Sequence, residues 1–249
     1  MENITSLKNP KIISWRSLRE RKGRESLDAF LVEGPKMVQE ALSSSFTVRA
    51  LLLREDTPLP FPVPDSVPVY GLPSHVFASV SDTVTPQGIA AVLSRTPRPI
   101  DGKHLVCLDG VQDPGNVGTI IRTADAAGLD GVILSASCAD LFSPKVVRAT
   151  MGSIFRMGFD VSASLHDDLR TMRENGFSII SSQLDGDPFY ARPSIGSSFV
   201  LVIGNEAHGV SPEIRQEATH RLALPMRGGA ESLNAAVAAG IMMYDLMRD

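Results

Sequence analysis

The sequence predicts an α/β protein of two domains: a small N-terminal α/β domain over residues 1–94 and, after a linker over 95–103, a larger domain over 104–249 built on a mainly parallel sheet with helices on both faces. Three observations predict it. The 249-residue chain is 43% apolar with a mean hydropathy of +0.04, a composition that buries a core. From His104 onward, strand-length apolar runs alternate with helical patterns, as parallel strands joined by crossover helices require. Between the halves, Arg95-Thr-Pro-Arg-Pro-Ile-Asp-Gly-Lys103 has the proline, glycine and basic content of an interdomain linker.

In chain order, the N-terminal domain reads as a strand at Phe30–Val32, a helix over Pro35–Leu42, a strand over Val48–Leu53 and a strand over Ile89–Leu93. The prolines at 58, 60, 62, 64 and 68 exclude a helix or central strand there and indicate a surface connection. The larger domain reads as strand Leu105–Leu108, helix Val117–Ala127, strand Gly131–Leu134, helix Leu169–Glu174 and strands Ser178–Ser181 and Phe199–Ile203. Helices over Pro212–Glu217 and Leu233–Met247 follow. Ligands of such sheets gather beyond the carboxyl ends of the strands.

Several classes are excluded or disfavoured. The longest apolar runs, such as Phe199–Ile203, fall far short of the about 18 residues that cross a bilayer. Met1-Glu2-Asn3-Ile4-Thr5 carries no basic start followed by an apolar core, so the expected location is cytoplasmic. Cys107 and Cys138 offer neither a disulfide framework nor metal spacing, and no metal is expected. A net charge of −4 hides a local concentration of cations: Lys8, Lys11, Arg16, Arg19, Arg21, Lys22 and Arg24, interrupted only by Glu20. Such a stretch suits RNA phosphates or an ordinary solvated helix face. Trp15 within it anchors the helix or stacks on a base.

Three loops carry the chemistry. Asp113-Pro-Gly-Asn-Val-Gly-Thr-Ile-Ile-Arg122 follows a strand; Asn116 is a candidate N-cap, and Arg122 falls at the margin of the apolar face of Ile120, Ile121 and Ala124. Gly204-Asn-Glu-Ala-His-Gly-Val-Ser-Pro212 follows the most apolar strand; Ser211 and Pro212 start a helix, which leaves Gly204, Asn205 and Glu206 unexplained by structure alone. Leu224-Pro-Met-Arg-Gly-Gly-Ala-Glu-Ser-Leu-Asn234 leads into a helix rich in alanine and glycine, with Ser232 or Asn234 as its cap. No G-x-G-x-x-G, G-x-x-x-x-G-K-[ST] or G-x-S-x-G motif is present, which argues against a dehydrogenase, ATPase or hydrolase.

Together these loops resemble the three signature motifs of the SpoU, or TrmH, branch of the SPOUT RNA methyltransferases. Asn116 and Arg122 match the first; Gly204, Asn205, Glu206 and Gly209 the second; Pro225, Ser232, Leu233 and Asn234 the third. Asn9-Pro10, Leu31-Val-Glu-Gly34, Ser81-Asp82-Thr83 and Pro86-Gln-Gly88 are similar to the family's L30e-like substrate-binding domain. The resemblance implies a C-terminal trefoil knot, a homodimer through the knotted domain, and S-adenosylmethionine as cofactor. It implies cofactor contacts at Gln183, Ile203, Gly204, Asn205, Gly209, Leu224, Pro225 and Leu233. RNA contacts are expected at Lys8 to Arg24 and at Lys145, Arg148 and Arg156.

The implied activity is 2′-O-ribose methylation of ribosomal RNA. A transfer-RNA 2′-O-methyltransferase and a non-catalytic RNA-binding or ribosome-assembly factor remain open alternatives. Within the family the arginine matching Arg122 is proposed as the base. Deprotonating a guanidinium near pH 7 would cost about 7–9 kcal/mol, which favours instead a charged Arg122 that holds phosphate and the developing 2′ oxyanion. Asn116 and Glu206 then orient Arg122, and Ser232 and Asn234 align the ribose.

Overall fold

A computed structural model describes residues 1–248, which form two compact units: Met1–Arg98 with Asp140–Arg156, and Pro99–Ala139 with the chain from Met157 onward. The first unit begins with β1 (Glu2–Asn3), α1 (Pro10–Ser17), α2 (Arg21–Leu27), β2 (Ala29–Glu33) and α3 (Pro35–Leu42). It continues through β3 (Val48–Arg54), β4 (Val69–Leu72), α4 (Ser74–Val80) and β5 (Ile89–Ser94). The second unit opens with β6 (His104–Asp109), α5 (Pro114–Ala127) and β7 (Gly131–Ser135). Then α6 (Pro144–Ala149) belongs to the first unit, and β8 (Gly158–Ser162), α7 (Leu165–Glu174), β9 (Ser178–Pro188), β10 (Phe199–Gly204), α8 (Pro212–Glu217), β11 (His220–Ala223) and α9 (Ala235–Leu246) complete the second.

In the first unit the five strands run β1-β4-β3-β5-β2, with β5 antiparallel to both its neighbours. One face buries Ile12 and Trp15 of α1 with Leu52, Val76, Phe77 and Val92. Trp15 is therefore a core anchor: its ring centroid lies 5.1 Å from that of Tyr70. The segment Asp140–Arg156 packs on this unit although the sequence reading places it in the larger domain. Phe30 and Phe142 rings lie 4.8 Å apart, and Phe46 and Phe155 rings 5.8 Å apart.

One ion pair fastens that segment. Arg24, only 3% exposed, directs Nε and Nη2 to Asp140 Oδ2 at 2.9 and 2.6 Å, and Nη1 to the carbonyls of Leu18 and Arg19 at 2.8 and 2.7 Å. Every donor edge used faces protein, so Arg24 is unavailable to RNA, a correction to the sequence expectation. Its cationic neighbours divide similarly. Lys11 donates to Glu2 and Tyr70, Arg21 to Glu25, and Arg19 to the carbonyls of Ala78, Val80 and Ser81 at the end of α4. Lys8, Arg16, Lys22 and Lys145 stay exposed, with no partner for their heads among the described residues. Arg148 pairs with Asp82 and Arg156 with Glu40 on partly exposed surface.

In the second unit six strands run β11-β9-β10-β6-β7-β8, every pair parallel. Leu105, Cys107, Val200 and Val202 pack with Leu165 and Leu169 of α7 and Ile214 of α8. The alternate residues Val106, Leu108, Leu201 and Ile203 are equally buried, and α5 and α9 pack on each other against β7 and β10. Gly240 of α9 allows that approach: a Cβ there would stand 3.4 Å from Thr123 Cγ2 of α5. The stretch read as a linker is partly built in. Lys103 and His104 donate backbone N–H groups to Asp130 Oδ2 at 2.8 Å, and Ile100 fills the space left by Gly131 and Gly158. Both cysteines are buried and free, and burial above all pushes both thiols up.

Replacing Arg24 by Gln strands a largely buried carboxylate at Asp140. We expect a loss of about 3–5 kcal/mol, read in urea as an earlier unfolding transition of the first unit. An unchanged midpoint would exclude the anchoring role.

Candidate functional site

The site is built where β9, β10 and β11 end. Gly204 closes β10, and a Cβ there would lie 2.1 Å from Gly209 C and Val210 N. Only glycine lets the next residues fold back that tightly. Asn205 and Gly209 then exchange backbone hydrogen bonds at 3.0 and 2.8 Å, with Gly209 at φ +69°. The Asn205 side chain fills the loop, accepting from Ala207 and His208 N–H groups and donating Nδ2 to Gly110 O at 2.8 Å.

Glu206 projects from this loop onto the start of α5. It accepts from the N–H groups of Gln112 and Asp113 at 3.2 and 3.1 Å and from Asn116 Nδ2 at 2.9 Å. Asn116 in turn accepts from Asn234 Nδ2 at 2.9 Å, and Asn234 Oδ1 caps α9 through Ala236 and Val237 N–H at 2.9 and 3.2 Å. One relay, Glu206–Asn116–Asn234, thus joins all three motif loops. Partial burial of Glu206 raises its pKa, but hydrogen bonds from Asn116 and backbone N–H groups outweigh this and hold the carboxyl below its usual range.

The caps differ from expectation. Asp113, not Asn116, caps α5, because Pro114 occupies the first helical position and the Asp113 side chain reaches Asn116 N at 2.8 Å. Asn116 lies inside the first turn, which frees its side chain for the relay. Of the two candidates for α9, Asn234 is the cap. Ser211 precedes α8 but its hydroxyl caps nothing; its N–H donates to Asp109 Oδ2 at 2.7 Å.

β9 forms the outer wall. Its Ile180 and Ser181 pair with His220 and Arg221 of β11, yet the next β11 residues, Leu222 and Ala223, pair with Asp187 and Pro188. Residues 182–186 are left out of the ladder and bulge over the strand ends. Gly186 permits the return, since a Cβ there would lie 2.6 Å from Arg221 O. The resulting cavity measures about 560 Å³, within the common range for small-ligand sites.

Gln183, Ile203, Gly204, Asn205, Gly209, Leu224 and Leu233 line this cavity, joined by Glu206, Ser232 and Asn234. Pro225 is exposed and off the wall. Arg122 is also elsewhere: it is exposed on α5 and bonds neither Asn116 nor Glu206, contrary to the expected orientation. Six residues separate Arg122 from Asn116, which sets them about 120° apart round the helix. The cavity also includes His208, Arg215 and Met226, which the sequence reading missed. Their positions follow from how the second loop folds back, and no motif marks them. Among the described residues no cluster of His, Cys, Asp and Glu could hold a metal, and no helix is long and apolar enough to cross a membrane.

An all-parallel sheet with a glycine-lined cavity beyond its strand ends defines an α/β protein built to hold a nucleotide-sized ligand. The chain belongs to the SpoU rRNA Methylase family, whose model matches residues 103–244, while that of the MRM3-like substrate binding domain matches 9–91. It is similar to the 23S rRNA (guanosine(2553)-2′-O)-methyltransferase RlmP of Bacillus subtilis, 38% identical over 99% of both chains. Among solved structures, the AdoMet-bound rRNA methyltransferase of Sinorhizobium meliloti superposes with TM-score 0.86 and 32% identity, covering 99% of this chain and 97% of the other. The SpoU methyltransferase AviRb of Streptomyces viridochromogenes, in complex with AdoMet, gives 0.83 and 26%, covering 97% and 98%.

The depressed carboxyl of Glu206 has a pH consequence. Its contribution to stability is complete above the ordinary value of 4.5 and is lost as pH falls through the lower folded value. In urea titrations, wild type should exceed Glu206→Gln at pH 7 and converge with it in acid; a gap that persists or widens in acid contradicts the assignment.

Proposed function

We propose that this protein is a cytoplasmic, S-adenosylmethionine-dependent methyltransferase that modifies ribose 2′-hydroxyls of ribosomal RNA and works as a homodimer. The observation that carries the reading is the Glu206–Asn116–Asn234 relay, which ties the three motif loops to one cavity in a chain of this family. Similarity to the Bacillus subtilis enzyme over both full lengths supports ribosomal over transfer RNA.

The cavity suits the cofactor. Ile203, Leu224, Met226 and Leu233 offer apolar walls to adenine, backbone at Gly204 and Gly209 allows close approach, and Ala235 and Ala238 leave room. When bound, S-adenosylmethionine supplies a methyl group on a sulfonium. The residues of this chain hold the partners in line: Asn116 and Asn234 fix the first and third loops, and Ser232 stands on the wall beside them, ready to meet the ribose. Arg122, exposed on α5, acts on a group brought to the surface, holding RNA phosphate and the oxyanion that develops as the 2′ proton leaves.

In this reading the first unit is an L30e-like substrate-binding domain whose Lys8, Arg16, Lys22 and Lys145 meet phosphates. The second unit carries a trefoil knot. What supports it is that β11 lies at the sheet edge beside β9 while α9 returns to β10 and α5, and that Leu224, Met226, Ser232 and Leu233 of the connecting stretch line the same cavity as the loop after β10. The dimer would cover the apolar stripe of Val237, Ile241 and Tyr244, which are 51, 37 and 53% exposed on one face of α9.

Mapping of 2′-O-methyl groups in total RNA should reveal one ribosomal site lost when the gene is deleted; an unchanged map overturns the assignment. Arg122→Ala, at an exposed position, should keep wild-type stability but lower single-turnover methylation about a hundredfold or more. In light scattering, Ile241→Asp should convert the dimer to monomer, and a persistent dimer would place the interface elsewhere.

A further inference from the structure

Arg215 is the arginine of the cavity wall, and no step described so far uses it. It sits on α8, half-buried, with Nε donating to the Val210 carbonyl at 2.8 Å. Its Nη2 lies 3.5 Å from where a Cβ would stand on Gly209, so the guanidinium lies against a loop residue that has no side chain to cover it. The backbone bond fixes one edge of the fork. Arg215 lines the cavity, and among the described residues its guanidinium has no further protein acceptor. A guanidinium held by one edge at the wall of a concave site is a receptor for a planar anion.

The cavity also discriminates between anions. Asp185, on the β9 bulge, lines the same space, and no ion pair joins it to Arg215. An RNA phosphate brought here would gain from Arg215 and be repelled by Asp185. A zwitterion suits both signs. Glu206, held ionised by the backbone and Asn116, adds a second negative charge to the lining and so also disfavours a bare anion.

Resting on the S-adenosylmethionine reading above, we propose that Arg215 binds the α-carboxylate of the cofactor's methionine end. Arg215 is then the residue by which the cavity distinguishes an amino-acid-bearing ligand from a bare adenosine thioether.

Calorimetry on the full chain tests this with two probes that share the adenosine: S-adenosylhomocysteine, which has the amino-acid end, and 5′-methylthioadenosine, which lacks it. For Arg215→Gln, affinity for S-adenosylhomocysteine should fall at least about tenfold while that for 5′-methylthioadenosine holds, and Arg215→Lys should recover part of the loss. Retained thioether binding also certifies the fold of the variant. Equal losses for both probes, or no loss for either, overturn the proposal, as does a defect confined to RNA affinity. A wild-type protein that binds neither probe overturns the cofactor reading itself, an outcome distinct from failure of Arg215 alone.

Discussion

The second unit depends on a small polar junction. Strands β6, β10 and β11 each deliver a loop to the same end of the sheet, and each loop, left alone, would be a flexible stretch of glycine and polar residues. Glu206, Asn116 and Asn234 make them one object. The junction needs all three chemistries: a carboxylate that only accepts, an amide that donates to it and accepts from the next, and a second amide whose oxygen closes the start of α9. Hydrogen bonding here is the scaffold that keeps a cavity open between apolar strand ends.

The same economy explains what the sequence could convey. Central strands β6, β7 and β10 are legible because a parallel sheet buried on both faces demands unbroken apolar runs. The edge strands are not. β8 carries Asp160 and β11 carries His220 and Arg221, so each reads as polar loop. β4 hides beside the proline-rich connection, and β9 outruns its apolar start because its far half is held by β11 after the bulge. Gly204 and Glu206 were legible as chemistry without a structural excuse, whereas Asn234 read first as a helix cap and took on chemistry only through its likeness to the third motif. Arg215 was not legible, because its direction depends on a loop that reverses under Gly204, a three-dimensional fact with no periodic trace.

Charge tells a parallel story. The run from Lys8 to Arg24 looks like one basic surface, yet the structure sorts it into three kinds of residue. Arg24 is internal, Lys11, Arg19 and Arg21 brace local structure, and Lys8, Arg16 and Lys22 are exposed to water. Counting cations along a sequence overstates a binding surface because arginine is also the residue best suited to tie off carbonyls at helix ends.

The clasp between Arg24 and Asp140 also has a temporal side. The partners are 116 positions apart, as are Glu40 and Arg156. A ribosome must therefore polymerise β6, α5 and β7 before the earlier domain receives its last piece, Asp140–Arg156. Through that interval the nascent N-terminal sheet lacks Phe142 and Phe155 over Phe30 and Phe46, and the two units mature as interleaved rather than successive events.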